Sequence, residues 1–321
     1  MCKKLTKRDY FRICKQRMDL TNDCSYGDFY SEEKSIWKRY FLYKNGKGAE
    51  DPDSRSLLAQ KMYRLLWPGV ETKDYMLLND RYACDTYSGK PTEKLLCVSA
   101  DTMNSATTTL GCFPNECGNS LKKQTQHYEA INRDDERFEE DLMCVLWPEF
   151  LDEGKKDYIT DMFRNFLRAW HTIGNYLPTP RGFNVGRYKK TSDYWDLTLK
   201  AIYDWYDGKE EAIEELIICR PESQEKVVGN TRKWLSDFQI DGKPSWQAFV
   251  EENYMQPFVE VNKDGTYGMP KELWYGHFSS SVKPEQKDDL ELFFNNATEW
   301  INERSDLIYR TLTSRDVAKA V

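Results

Sequence analysis

Arg164 and His171 stand seven residues apart in RNFLRAWHTIGNYLPTPRGFN. At helical spacing that places a guanidinium and an imidazole two turns along one face, where both can converge on one phosphate. Asn175 and Asn184 follow around a turn marked by Gly174; Gly before Asn permits a positive φ, so the backbone can turn sharply and aim the Asn carboxamide. The window from Met162 to Ser192 holds no Asp or Glu, yet it carries Arg164, Arg168, Arg181, Arg187, Lys189, Lys190 and one of the 3 His in the chain. At the overall acidic frequency of about one residue in six, roughly thirty residues should contain about five acids. Positive charge is concentrated here without its compensating carboxylates, so a polyanion that binds this protein should bind here. Arg forks suit phosphate oxygens, and the interleaved Phe183 and Tyr188 can stack on bases. The competing arrangement is internal, because Asp193, Asp196, Glu210, Glu211, Glu214 and Glu215 lie close enough in sequence to neutralise the same cations.

The elements that must position these residues follow from periodicity. Upstream, KKDYITDMFRNFLRAW sets Tyr158, Ile159, Met162, Phe163, Phe166, Leu167 and Trp170 on one apolar stripe, which predicts a helix ending on the motif. Downstream, SDYWDLTLKAIYDWY is amphipathic, and its stripe of Tyr194, Trp195, Leu199, Ile202, Trp205 and Tyr206 reads as core. EEAIEELIICR should continue helical until Pro221. QEKVVGNTRKWLSDF, PSWQAFVEENY and PEQKDDLELFFNNATEWINERSDLIYRTL complete a mainly helical second half. In the first half, helices are expected over the first ~45 residues and in SLLAQKMYRLLW, stopped by Pro68-Gly69. Between Asp74 and Leu110 the short apolar runs bounded by Gly, Pro, Asn and Asp predict strands, and residues 111 to 125 read as loop. DDERFEEDLMCVLWPEF returns to helix. The expected fold is α+β, predominantly helical, with a small β-sheet in the N-terminal half. Residues 1-125 form an N-terminal α+β part, and 126-321 a helical part from whose core the HTIGN turn projects, the two packed as one compact unit.

Trp170 to Asn184 resembles the H-x-I-G-N-L segment, followed by L-N, of the C-terminal HNH-type nuclease domain of modification-dependent restriction proteins, where it builds part of a ββα metal site. Trp170 to Tyr206 is also similar to an uncharacterised bacterial family marked by H-T-I-G-N-[FY]-x-P, a following F-N and D-Y-W-D-L-T-L. The nuclease resemblance implies that His127 is the general base, that Asn175 orients it or fixes the loop, and that Asn184 helps to position a Mg²⁺ or Mn²⁺ ion. The chain departs from that pattern, since it has no D-H or H-H pair and QTQHYEAIN lacks the expected Pro. Arg164, Asn165 and His171 also resemble the R-x4-6-H signature of HEPN ribonucleases. That likeness implies that His171 takes a 2′-hydroxyl proton while Arg164 stabilises phosphate charge, without metal. The resemblances together imply a cytoplasmic bacterial protein acting on nucleic acid, a divergent nuclease in phage defence. The alternative is a non-catalytic module that binds a protein partner, in which the HTIGN turn only joins two helices.

Composition narrows the classes. The chain has 321 residues, a mean hydropathy of -0.78 and 31% charged residues, which describes a well solvated surface around a core supplied with 10 Trp, 20 Tyr and 15 Phe. No segment approaches the ~18 unbroken apolar residues of a membrane span, and the N-terminal MCKKLTKRDYFRICKQ has no apolar run behind its basic residues; a cytoplasmic protein without membrane partners is expected. Net charge -7 opposes indiscriminate binding to nucleic acid or anionic lipid, which leaves the acid-free window as the local exception. The 9 Cys are scattered and odd in number, so free thiols are expected. Cys112, Cys117 and His127 lack the fourth ligand and second close pair of a structural zinc site, and read as an ordinary turn.

Overall fold

The computed structural model describes residues 60, 63, 64, 66–84, 91–99, 162, 165, 166, 169, 173–279, 284 and 287–319. The fold is α+β and mostly helical, with small antiparallel two-stranded sheets. Among the described residues no helix is long and apolar enough to cross a membrane.

Gln60, Tyr63, Arg64 and Leu66 are helical, and the chain turns at Pro68-Gly69, where Gly69 takes φ +82. Strand β1 (Leu77–Cys84) pairs antiparallel with β2 (Pro91–Leu96), from Leu77 opposite Leu96 to Cys84 opposite Pro91. The short β3 (Val98–Ser99) then pairs with β4 (Leu177–Pro178), so the first half of the chain hydrogen-bonds directly to the segment after the HTIGN turn. A buried bond between Ser99 Oγ and Thr179 Oγ1 at 2.7 Å closes that pairing.

Helix α1 (Phe183–Thr191) begins behind Gly182, whose φ of 90 sets the entry, and ends where Ser192 and Asp193 both adopt positive φ. That reversal launches α2 (Trp195–Tyr206), which buries Trp195, Asp196, Thr198, Leu199 and Ile202 at helical spacing. Helix α3 (Ala212–Leu216) is shorter than the periodicity predicts. Its chain turns extended at Ile217, and the Ile218 N–H donates to Gly186 O across to α1 instead of continuing the helix. The Gln224 side chain then accepts from the Cys219 N–H and donates to Ile217 O, satisfying the groups that the helix releases. Helix α4 (Pro221–Ser236) opens on Pro, whose missing N–H has no intrahelical partner to lose there.

The second half, expected to be mainly helical, also contains two hairpins between its helices. Strands β5 (Gln239–Ile240) and β6 (Lys243–Pro244) flank Asp241-Gly242, with φ 52 and 74, the two positive values of a type I′ turn. After α5 (Trp246–Glu252), β7 (Val259–Val261) pairs with β8 (Tyr267–Pro270) around a turn in which Asp264 Oδ1 accepts from the Thr266 N–H and hydroxyl. The 33-residue α6 (Lys287–Lys319) buries Leu290, Phe293, Phe294, Ala297, Trp300, Ile301, Arg304, Ser305 and Ile308 along one stripe. Phe293 and Phe294 pack on Phe166 at ring separations of 5.8 and 5.0 Å; each fully buried Phe contributes about 2–3 kcal/mol of transfer free energy. Met162 and Phe166 are buried in the same core, as their stripe requires.

Candidate functional site

Ile173, Gly174 and Asn175 form one turn of 3₁₀ helix, and all three are buried. The reason for Gly174 differs from the expected positive φ, which appears at Gly182 instead. A Cβ at Gly174 would lie 2.0 Å from Ile301 O and 2.4 Å from Ser305 Oγ, so the turn lies against the backbone of α6 and only a residue without a side chain fits. The Gly174 N–H donates to Ser305 Oγ at 3.0 Å, and that hydroxyl donates to Ile301 O at 2.9 Å.

Arg304 completes the dock. Its Nη1 donates to Gly174 O at 2.8 Å and Tyr176 O at 3.0 Å, while Nε and Nη2 donate to Asn253 O at 3.1 and 2.9 Å. The side chain is 1% exposed, and burial pulls the guanidinium down to about 9, which leaves it cationic at neutral pH. Three backbone carbonyls provide the negative ends that solvate it. The HTIGN turn is thereby fastened to α6 and to the chain following α5.

The remaining sequence candidates separate into interior and surface. Asn175 is 3% exposed. Asn184 Oδ1 accepts from Arg187 Nη2 at 2.7 Å and Nε at 3.1 Å, so the oxygen expected to approach a divalent ion already faces a guanidinium. A cation in that position repels Mg²⁺ or Mn²⁺, and the Asp193 carboxylate lies 3.2 Å from Arg187 Nη2. Among the described residues no group of three His, Cys, Asp or Glu could hold a metal. Arg187 is itself 0% exposed, donates to Thr198 Oγ1 at 3.3 Å and lies 5.0 Å over the Trp195 ring. Its expected phosphate contact is therefore replaced by an internal one, and the internal neutralisation drawn from sequence holds for Arg187 and Asp193. Arg181 Nη1 donates to Leu77 O at 3.1 Å. Lys189 and Lys190 stand exposed in the last turn of α1, beside Tyr188 and Val185, which are 45% and 77% exposed. His127, Arg164, Arg168 and His171 lie outside the described residues, as do Cys112 and Cys117.

A pair that the sequence did not suggest lies nearby. His277 Nδ1 donates to Asp196 Oδ2 at 2.5 Å, the same oxygen accepts from the Leu273 N–H at 2.9 Å, and both side chains are fully buried. The imidazole stacks on Trp274 at 3.5 Å and meets Tyr194 edge-on at 5.0 Å. Its Nε2 is enclosed, and among the described residues it has no hydrogen-bond partner. A carboxylate behind an imidazole is the arrangement of a general base, but a base needs its second nitrogen open to substrate and this one is sealed. The pair ties the start of α2 to the 273–277 turn. Asp196 was visible as a carboxylate in a helix's first turn; its partner is 81 residues away, and nothing in WYGHF announces it.

Comparison with known protein families, curated proteins and solved structures returns no match for this chain.

Proposed function

We propose that this protein contacts nucleic acid through the outer face of α1, and that the HTIGN turn is the joint carrying that face. The observation behind this reading is the division of α1 itself: Phe183, Gly186 and Arg187 are turned inward, while Val185, Tyr188, Lys189 and Lys190 are exposed on a helix without a single acid. Ammonium groups neutralise phosphates without regard to sequence, and an exposed Tyr offers a ring on which a base can stack. On the adjoining α3, Glu214 is already held by Arg232 at 3.0 Å. The net charge of -7 opposes the approach, so binding is weak and strongly salt-dependent.

Fluorescence anisotropy with labelled single-stranded DNA and RNA oligonucleotides tests the reading. Binding should weaken as salt rises, and the Lys189→Ala/Lys190→Ala variant should lose about 1.4 units of the log–log salt slope, about 0.7 for each single-strand phosphate contact. Tyr188→Ala should weaken binding by about fivefold or more, the lower end of one base-stacking contact. Salt-independent binding, or equal binding by the variants, would sink the proposal. The same incubation with Mg²⁺ or Mn²⁺ reads out strand cleavage. Cleavage that disappears in His171→Ala and Asn175→Ala, at unchanged melting temperature, would assign the phosphodiester chemistry of an HNH-like defence nuclease to the segment and overturn its purely architectural role.

A further inference from the structure

A cleft of about 430 Å³ opens between the turn at Val70, the end of α5 and α6. That volume lies in the range of about 300–1,000 Å³ typical of small-molecule sites. Trp67, Trp234, Phe238 and Tyr254 give it aromatic walls beside Met76, and Asn253, Gln256 and Thr311 add polar groups. The walls are also firmly held. Trp67 Nε1 donates to Glu252 O and Asn253 Oδ1, both at 3.1 Å, and the Trp67 ring meets Tyr254 edge-on at 6.0 Å. Tyr254 reaches that position through a left-handed backbone, φ 57, uncommon for a residue with a Cβ.

The lip is charged, and its charges are unbalanced. Lys73 lines it, but its ammonium is committed to Asp237 Oδ2 at 2.5 Å, an oxygen that also accepts from the Tyr75 hydroxyl at 2.6 Å. Glu251 and Glu252 line it too, and among the described residues neither carboxylate has a hydrogen bond or ion pair. Burial pushes the Glu252 carboxyl above the usual range; Lys73 opposes this, and Glu251 and Asp237 add to it. Two adjacent carboxylates at the mouth of the slot, whose neighbouring cation Lys73 is bonded to a third carboxylate, Asp237, leave a net negative lip that repels phosphate and attracts positive charge. A cation that enters also finds the faces of aromatic rings.

We infer that this cleft binds a small organic cation, an ammonium or amidinium on a flat apolar body, with Glu251 and Glu252 as its counter-charge. The body lies along Trp67, Trp234 and Phe238, and the charged end stays at the lip, where it need not be fully dehydrated. The site is independent of nucleic-acid contact through α1, because its charge has the opposite sign.

Calorimetric titration of the full chain with tryptamine and with 4-aminobenzamidine tests this. At least one should bind at millimolar concentration or below, while indole-3-propionate, which has a similar body with a carboxylate, and adenosine monophosphate should not. Glu252→Gln should weaken binding by about tenfold, the factor for losing one partly screened charge pair, with little change in melting temperature because among the described residues its carboxylate makes no hydrogen bond or ion pair. The Lys189→Ala/Lys190→Ala variant should bind the amine as the parent does, so failure here is distinguishable from failure of the α1 reading. Binding of neither cation, equal binding of indole-3-propionate, or an unchanged affinity in Glu251→Gln/Glu252→Gln would overturn the assignment.

Discussion

Two buried guanidinium groups in this protein are neutralised in different ways. Arg187 lies within a local cluster, where Asn184, Asp193, Trp195 and Thr198 surround it and a carboxylate carries the opposing charge. Arg304 donates to three backbone carbonyls, 51 to 130 residues away in sequence, and no ion pair with a carboxylate is present for it among the described residues. The first arrangement fixes a bend between consecutive helices. The second fastens three distant segments together. Their difference separates the two ideas that the acid-free window raises: cations held by the protein for its own architecture, and cations left at the surface for a partner. Arg187 belongs to the first, and the exposed Lys189 and Lys190 are the cations that the proposed nucleic-acid contact would use.

The largest effect should come from breaking the long-range dock. In Gly174→Ala the added methyl would meet a helix carbonyl at 2.0 Å, so the turn and α6 must part and the Arg304 bonds go with them. A loss of at least about 4 kcal/mol is expected in chemical denaturation, the range reserved for severe core disruption. A loss below about 1 kcal/mol would mean that the turn is not held against α6. The local cluster should respond next. Asp193→Ala leaves Arg187 buried without its carboxylate, at a cost of about 3–5 kcal/mol, whereas Arg187→Met/Asp193→Ala should lose less than the single change because no uncompensated charge remains. A double variant less stable than the single would show that Arg187 matters for its shape rather than its charge.

This contrast also explains what could be read from the sequence. Periodicity located α2, α4, α5 and α6 because a buried stripe repeats every three to four residues, and it placed Met162, Phe166 and Leu199 in the core. Arg187 and Asp193 were within reach of local reasoning, being six residues apart. The Arg304 dock was not, because backbone carbonyls have no sequence signature and any residue supplies one. Gly174 was legible as a special position, but its reason was not: close approach and positive φ both select Gly, and only the neighbouring helix separates them. The β5–β6 hairpin was missed although Asp241-Gly242 is a strong turn signal, because its strands are only two residues long and offer no alternation to detect. The pairing of Asp196 with His277 was missed for the same long-range reason as Arg304, and the cleft because its walls come from five separated stretches of chain.

The smallest expected effect comes from a partly solvated counterpart to Asp193. Asp204 receives Lys200 Nζ at 2.6 Å and Lys209 Nζ at 2.7 Å on α2 and just beyond it. Partial burial works against its ionisation, but the hydrogen bonds and charge of the two ammonium groups outweigh it and hold the carboxyl below the ordinary 3.8. A depressed folded-state pKa means that the unfolded chain binds the proton more readily. The contribution is therefore complete above the unfolded value and is lost as pH falls through the folded one. Asp204→Asn should cost less than about 1 kcal/mol at pH 7, and less again at high salt, because water and ions screen this pair. The gap from the parent should close as pH drops below the aspartate range. Denaturation curves across pH and salt check both trends, and an undiminished gap in acid would place the role of Asp204 in packing. The loss in Asp193→Ala should remain large at every salt concentration, since the same carboxylate–cation chemistry there is enclosed by protein instead of water.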